Sequence, residues 1–493
     1  MLVVSGGCAL VFQVVWIREL RLIFGATTAS SAAVLAIFMA GLGLGNGLLG
    51  QRIDGLLRPL RFYGLLEAGI ALSAGLSPLL IDVARYLYVG VGGQSALGPG
   101  LATVVRLLAS AAILALPTFL MGGTMPAAAR AVSSDVDSQR RGVALLYGLN
   151  TIGAVIGAGL ANFLLLEVLG NRAVLWSACL VNLLLAAGAL VLSWRLSNLR
   201  IEKNELRSKT STRPAASVQT PWRFAVVGVS AGTVGFVFFL MEIVWYRMLG
   251  PLLGGTTYTF GLILCVALSG IGVGGALYSL TARWLKPTLQ LLAATCALEA
   301  LFMAIPFWYG DQIAIWVLHQ QSEPITSFSG QIWNWTQIAA FVILPASLVA
   351  GFQFPLLIAI AGTGRRDIGK HVGWTFAANA VGAISGSLAG GFFLLPIMTA
   401  PGVWRVAVCS LVVLGVFVAV EGRFLAPEER RKLAKYGIAP NNRTRPPGHS
   451  SRARFCGRGD SNLRSSPDNG CLNCRELACN PSRRAGFVRA SYL

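Results

Sequence analysis

Apolar runs of about 20 residues, nearly free of charge, recur along the whole chain, and each can cross roughly 30 Å of bilayer hydrocarbon as an α-helix. Lipid offers no hydrogen bonds, so every backbone N–H and C=O must be satisfied within its own segment, and the helix is the form such a run takes. Twelve spans are expected, at residues 2–24, 28–50, 61–82, 102–131, 142–168, 173–194, 223–249, 255–281, 288–309, 334–362, 372–397 and 402–421. The fourth and tenth are overlong and carry Pro117, Pro126, Pro345 and Pro355, so tilted or broken helices are expected there. Only 12% of the 493 residues are charged and 55% are hydrophobic, against roughly 25% charged in ordinary soluble proteins. Too few polar side chains remain to cover several water-facing domains. The composition argues against a secreted disulfide scaffold, a disordered chain and a dedicated nucleic-acid binder. A polytopic membrane protein embedded in the lipid bilayer is the class that fits.

The net charge of +20 has a distribution. Residues 426–493 hold 14 Lys/Arg against 5 Asp/Glu, and the rest of the excess lies in loops. Arg52, Arg58 and Arg61 follow the second span, and Arg140 and Arg141 the fourth. Arg195, Arg200, Lys203, Arg207, Lys209 and Arg213 follow the sixth; Arg283 and Lys286 the eighth; Arg365, Arg366 and Lys370 the tenth. The alternate loops are short or nearly neutral. The positive-inside rule then puts every even loop and both termini in the cytoplasm. Met1 leads straight into apolar sequence without a basic stretch, so no cleaved signal peptide is expected.

The two halves match at a shift of 229 residues. Gln13-Val-Val-Trp-Ile-Arg18 aligns with Glu242-Ile-Val-Trp-Tyr-Arg247, and Gly25-Ala-Thr-Thr28 with Gly254-Gly-Thr-Thr257. Gly41, Gly43 and Gly45 fall on Gly270, Gly272 and Gly274; Asn150, Gly153 and Gly157 on Asn379, Gly382 and Gly386; Pro126 on Pro355. With a small slip, Leu66-Glu-Ala68 falls on Leu298-Glu-Ala300. Equivalent spans lie six apart, an even number, so the repeats are parallel and their pseudo-two-fold axis lies along the membrane normal. Such halves face each other across a cavity. The expected organisation is a first six-helix repeat (1–194), a cytoplasmic linker (195–221), a second repeat (222–421) and a basic, disordered cytoplasmic tail (422–493).

Several of these motifs carry a resemblance. Ser5-Gly-Gly, Gln13 to Arg18, Phe24-Gly25, the Gly41–Gly47 run, Leu116-Pro117, Met121-Gly-Gly-Thr-Met-Pro126 and Tyr147-Gly-Leu-Asn150 with Gly153 and Gly157 resemble the bacterial membrane proteins fused to spermidine synthase, over about residues 5–421. The loop Gly50-Gln-Arg-Ile-Asp54-Gly55 resembles the loop motif of the major facilitator superfamily; its counterpart, Tyr278 to Pro287, lacks the acid. The resemblance implies a bacterial inner-membrane protein with an MFS-like, all-α architecture and a transport role, without an assured substrate; a polyamine or another organic cation is the substrate class considered. Relatives of this kind continue into an aminopropyltransferase domain. Residues 426–493 contain no strand, Gly-rich turn and helix unit for a nucleotide-like cofactor, so that enzyme activity is not expected of this chain.

Ionisable groups inside spans cost about 2.5–3.5 kcal/mol each on insertion scales and mark functional sites by default. Glu67 and Glu299 occupy matched positions. They are read either as cation- or proton-binding carboxylates facing the cavity or as buried Glu–Arg pairs that lock helices. Arg18 and Arg247 lie toward the outer ends of their spans, with Gln13 and Glu242 deeper. On a helix Trp16 is about 60° from Gln13 and Arg18 about 140° from it, so one helix cannot aim Gln13 and Arg18 at one point. One reading has the arginines snorkelling and Trp16 and Trp245 in the aromatic belt; the other makes Arg–Glu gates. Asn150 and Asn379, beside glycines four apart, either pack helices or line the pathway. Cys8, Cys179, Cys265, Cys296 and Cys409 read as packing residues. Cys456, Cys471, Cys474 and Cys479 are poorly spaced for a metal and have no nearby histidine, so neither metal nor cofactor is expected.

No Gly-x4-Gly-Lys-Ser/Thr loop is present, which leaves secondary transport of a small organic cation as the first functional reading. The alternative is a non-transporting membrane anchor or subunit presenting a protein partner. The orientation has a direct check. In intact cells, a cysteine replacing Arg58 stays shielded from a membrane-impermeant maleimide, whereas one replacing Asn171 is labelled. The opposite pattern would reverse the topology.

Overall fold

The structure, a computed structural model, describes residues 1–24, 28–133, 140–204, 221–322, 327–362 and 367–435. Segments 205–220 and 436–493 lie outside the described residues, and with them Arg207, Lys209, Arg213 and the four tail cysteines. So do Gly25, Arg365 and Arg366. The first half comprises α1 (Leu2–Phe24), α2 (Thr28–Ile53), α3 (Pro59–Gly90), α4 (Gly93–Val132), α5 (Arg141–Leu160), a π turn (Ala161–Leu165), α6 (Leu166–Val168) and α7 (Gly170–Asn204). The second comprises α8 (Pro221–Leu252), α9 (Thr257–Thr281), α10 (Leu289–Trp308), α11 (Gly310–Ser322), α12 (Phe328–Ala361), α13 (Ile368–Leu388), a π turn (Ala389–Leu394) and α14 (Leu395–Lys435).

Eleven helical stretches among the described residues are long and apolar enough to cross a membrane. The last, Ile368–Arg423, is 56 residues long, about 84 Å of helix at 1.5 Å per residue. It turns at Thr399, whose φ of 60° and ψ of 170° are not helical, and so makes two of twelve crossings. Local chemistry sets several starts. Pro59 opens α3 where its missing N–H is not needed. Thr256, Thr288 and Ser327 cap α9, α10 and α12 by accepting from the backbone N–H of Thr259, Leu291 and Gly330.

The expectations for single segments need adjusting. The break in α4 falls at Gly98 (φ 71°, ψ 166°), before the expected span, rather than at its prolines. Helix α12 runs unbroken through Pro345 and Pro355 for 34 residues, about 51 Å and well beyond the hydrocarbon thickness. Helix α7 continues through Asn204, into the segment expected as linker, and α14 continues through Lys435, into the expected tail. Helix α11, too short to cross, had no counterpart among the expected spans.

The repeat is visible in the packing. Helix α1 packs on α5 and α7, α2 on α4, and α3 on α4 and α7. In the second half α8 packs on α13 and α14, α9 on α12, and α10 on α12 and α14. The closest approaches recur at the 229-residue shift. A Cβ added at Gly153 would collide with the Val3 carbonyl, and one at Gly382 with the Gly232 carbonyl. Both π turns follow the equivalent glycine-rich helices. Lipid gives helices no hydrophobic reason to associate, so backbone proximity of this kind supplies the dispersion contacts that hold each half together.

Two antiparallel seams join the halves: α2 against α13, and α5 against α9. The first runs from Ala32, whose carbonyl accepts the Ser387 hydroxyl (3.1 Å), past Gly43 on Ala380, to Gly50 on Gly369 and Gly373. At the face bearing Arg52, Arg58 and Arg140, the basic face, the halves share apolar cores. Leu49, Ile53 and Tyr63 cluster there with Phe354, Ile368 and Val372. Toward the far face the core around Trp245 and Trp404 belongs to the second half alone, whereas the core around Phe12 and Trp16 is built by the first half with Leu264 of α9 packed into it.

Overpacking costs about 1–3 kcal/mol. Gly153→Leu and Gly382→Leu are therefore expected to lower the thermal midpoint of the detergent-solubilised protein, while Gly100→Ala, which points into open space, leaves it unchanged. Scanning fluorimetry on the three variants checks this.

Candidate functional site

Between the halves lies a central cavity of about 280 Å³. The glycine seams on α1, α2 and α8 thin its walls. Leu10, Phe38, Met39, Met121, Phe238 and Phe239 make the walls largely apolar. Its polar side chains come from both halves: Ser5 and Gln13 on α1, Asn46 on α2, Glu67 on α3, Asn150 on α5, Glu242 on α8 and Asn379 on α13. No lysine, arginine or histidine lines it among the described residues.

Glu67 is fully buried and accepts a 2.5 Å hydrogen bond from the Ser5 hydroxyl. The Tyr63 hydroxyl faces the same carboxyl. A hydrogen bond to a charged group contributes about 1.5–3 kcal/mol, so Ser5 joins α1 to α3 at the cavity wall. Glu299, the repeat partner, is equally buried but does not line the cavity. It lies between α10 and α12, facing Gln353, and neither of its oxygens has a hydrogen bond. The reason is local: the position matching Ser5 is Val234, which offers no hydroxyl. The expected pair of cavity carboxylates is therefore one, Glu67. Neither glutamate is hydrogen-bonded to an arginine, so the Glu–Arg lock is not formed by either.

Gln13 and Glu242 are buried at 6% and 7% exposure, and both line the cavity. Asn150 and Asn379 line it as well, and the Asn379 amide donates to the Ala231 carbonyl (3.1 Å). These amides thus pack a helix pair and face the cavity at once. Arg18 and Arg247 are exposed and lie away from the cavity, so no Arg–Glu gate is formed. Trp16 and Trp245 are not in an aromatic belt; both are buried, at 1% and 0% exposure. Trp16 stacks on Phe12 and donates to Ser77 (2.9 Å). In the other half the Trp245 indole N–H has no partner.

Closure at the basic face uses residues whose side-chain roles were not visible in the sequence. Tyr147, Phe354 and Phe376 form an aromatic cluster, with centroids 4.4 to 6.2 Å apart, that lines the cavity from α5, α12 and α13. Arg140, buried at 2% exposure, donates to His371 Nδ1 (2.7 Å) and to the Ile358 carbonyl (3.3 Å). Arg141 and Ser279 exchange hydrogen bonds between α5 and α9 (3.1 and 3.2 Å). Asp54, the acid of the loop motif, accepts from the Gly369 and Lys370 N–H groups (both 2.9 Å) at the start of α13, where helix N–H groups lack internal partners. Apart from Phe354 on Phe376, which both belong to the second half, each of these contacts crosses between the halves.

Solved structures share this architecture. The MFS proton:xylose symporter XylE bound to 6-bromo-6-deoxy-D-glucose is 12% identical, with TM-score 0.50, covering 84% of this chain and 93% of that one. A bacterial homologue of the iron transporter ferroportin, in an outward-facing state, is 14% identical, with TM-score 0.53 and coverage of 85% and 97%. The human organic anion transporter MFSD10 (TETRAN) is 13% identical, with TM-score 0.51 and coverage of 85% and 99%. No family model and no curated protein matches the chain. The chain thus has the fold of major facilitator superfamily transporters.

A helix cap of this kind contributes about 1 kcal/mol, roughly a fivefold change in a two-state ratio. Asp54→Ala is expected to open the basic-face seam. A reporter cysteine replacing Ala377, which sits on Gly47 across that seam, should label about fivefold faster in the Asp54→Ala background.

Proposed function

We propose that this protein is a secondary transporter of a small organic cation, with polyamines the first class to assay, working in a bacterial inner membrane with its basic face toward the cytoplasm. The observation that carries this is the chemistry of the central cavity: a carboxyl at Glu67, amides at Gln13, Asn150 and Asn379, apolar and aromatic walls, and no basic side chain among the lining residues. A buried negative charge without a cation is costly, and a cationic substrate would offset that cost. Aromatic and methionine walls suit an aliphatic body joined to an ammonium group. A purely structural anchor has no use for such a cavity, which favours transport over the anchoring alternative. The sequence resemblance to spermidine-synthase-fused membrane proteins supports the polyamine class, and the shared fold supports alternating access.

In this reading Glu67 meets the substrate's cationic head and Ser5 holds the carboxyl in place. Purified protein in liposomes, given a panel of radiolabelled di- and polyamines, tests it. Glu67→Gln should lower uptake efficiency at least about tenfold, equivalent to 1.4 kcal/mol. Glu299→Gln, away from the cavity, should leave it within about twofold. Absence of transport for every amine tested would remove the substrate class, and equal effects of the two substitutions would remove the site.

A further inference from the structure

Glu242 stands apart from the other polar side chains of the cavity among the described residues in one geometric respect: it borders two spaces. Besides the central cavity, it lines a second pocket with Ile17, Ala32, Leu35, Ile243, Tyr246 and Phe260. These residues belong to the last turns of α1, the first turns of α2 and α9, and α8, so the pocket lies on the far-face side of the cavity. It holds about 30 Å³, enough for a water molecule and too little for an organic cation. Gln13, the repeat partner of Glu242, lines the central cavity only and has no proton to exchange.

The two cavity carboxyls also differ in their surroundings. Glu67 has a hydroxyl donor in place. Glu242 receives no hydrogen bond from any described residue, and its neighbours in both spaces include Phe238, Ile243 and Leu264. A carboxylate with no donors and apolar walls is unfavourable unless it is hydrated, paired with a cation, or neutral as the acid. The titratable groups facing the two spaces are Glu67 from α3, Tyr147 from α5 and Tyr246 from α8, and none of them brings a positive charge.

We infer that Glu242 is a proton-binding site separate from the substrate carboxyl, hydrated from the far face through its own water-sized crevice, and that it couples proton movement to transport. The inference rests on the cation-transport reading. A proton arriving through the crevice adds to the carboxylate to give the neutral acid. When the halves rearrange, the acid O–H gives that proton back to water on the basic-face side, and the carboxylate is restored. Proton and organic cation are both positive and share one cavity, so occupancy by either disfavours the other, which makes the exchange an antiport. Such coupling between sites typically amounts to a 5–150-fold change in affinity.

The test uses the full-length protein in liposomes, with amine accumulation driven by an imposed pH gradient and amine exchange measured without one. Glu242→Gln should cut gradient-driven accumulation at least about tenfold while the protein still exchanges amine, and Glu242→Asp should restore the coupling. Ala32→Val, which fills the crevice without touching the cavity, should slow gradient-driven accumulation and leave exchange intact. Full gradient-driven accumulation by Glu242→Gln would overturn the inference while leaving cation transport standing. A wild-type protein that moves no amine would instead remove the transport reading. The proton site then has its own readout, an infrared pH titration of the purified protein. A protonated-carboxyl band lost in Glu242→Gln and kept in Glu67→Gln supports the inference, and a band unaffected by Glu242→Gln overturns it.

Discussion

Close approach of helix backbones is the constraint on which the rest depends. In a bilayer the lipid tails are as apolar as leucine, so helices gain nothing from leaving solvent together and associate through packing and a few polar contacts. Gly6, Gly153 and Gly157 let α1 and α5 touch backbone to backbone, and Gly235, Gly382 and Gly386 do the same for α8 and α13. Those two pairs are also where Asn150 and Asn379 reach the cavity. The same small residues that bind each half together therefore bring polar side chains to the central space.

The interface between the halves is uneven, and that unevenness gives the molecule a direction. At the basic face, shared apolar cores, the Arg140–His371 contact, the Arg141–Ser279 exchange and the Asp54 cap all cross the boundary. On the far side only the second half keeps a core of its own, and the crossing contacts include Leu264 in the core of the first half, Gly261 against Asn162, a Ser387–Ala32 hydrogen bond and the Phe163–Tyr258 stack. Packed interfaces switch between discrete arrangements rather than deforming smoothly. The arrangement seen is the one closed at the basic face.

Pseudo-symmetry made the repeat readable and then misled about the site. Glu67 and Glu299 match in sequence, but a matched carboxyl lines a cavity only if its neighbours aim it there. Ser5 stands beside Glu67, whereas Val234 holds the matching place in the second half. Trp16 and Trp245 show the same divergence: one donates to Ser77, while the indole N–H of the other has no partner. The break in α4 at Gly98 is a local effect, since Pro99 disfavours helix at the residue before it, and the 13-residue α11 is too short to stand out as a span.

Apolar length, charge bias and the 229-residue repeat determined the class, the twelve crossings and the parallel halves from sequence alone. These are properties of one segment against its solvent, or of one segment against its own copy, and they need no knowledge of neighbours. Which polar groups meet was decided only by the tertiary structure: Glu67 with Ser5, Arg140 with His371, Asp54 with the start of α13, and Glu242 between two spaces. Those contacts join residues 62 to 316 positions apart. They depend on the rotation and tilt of each helix against its partners, which a run of hydrophobic residues leaves undetermined.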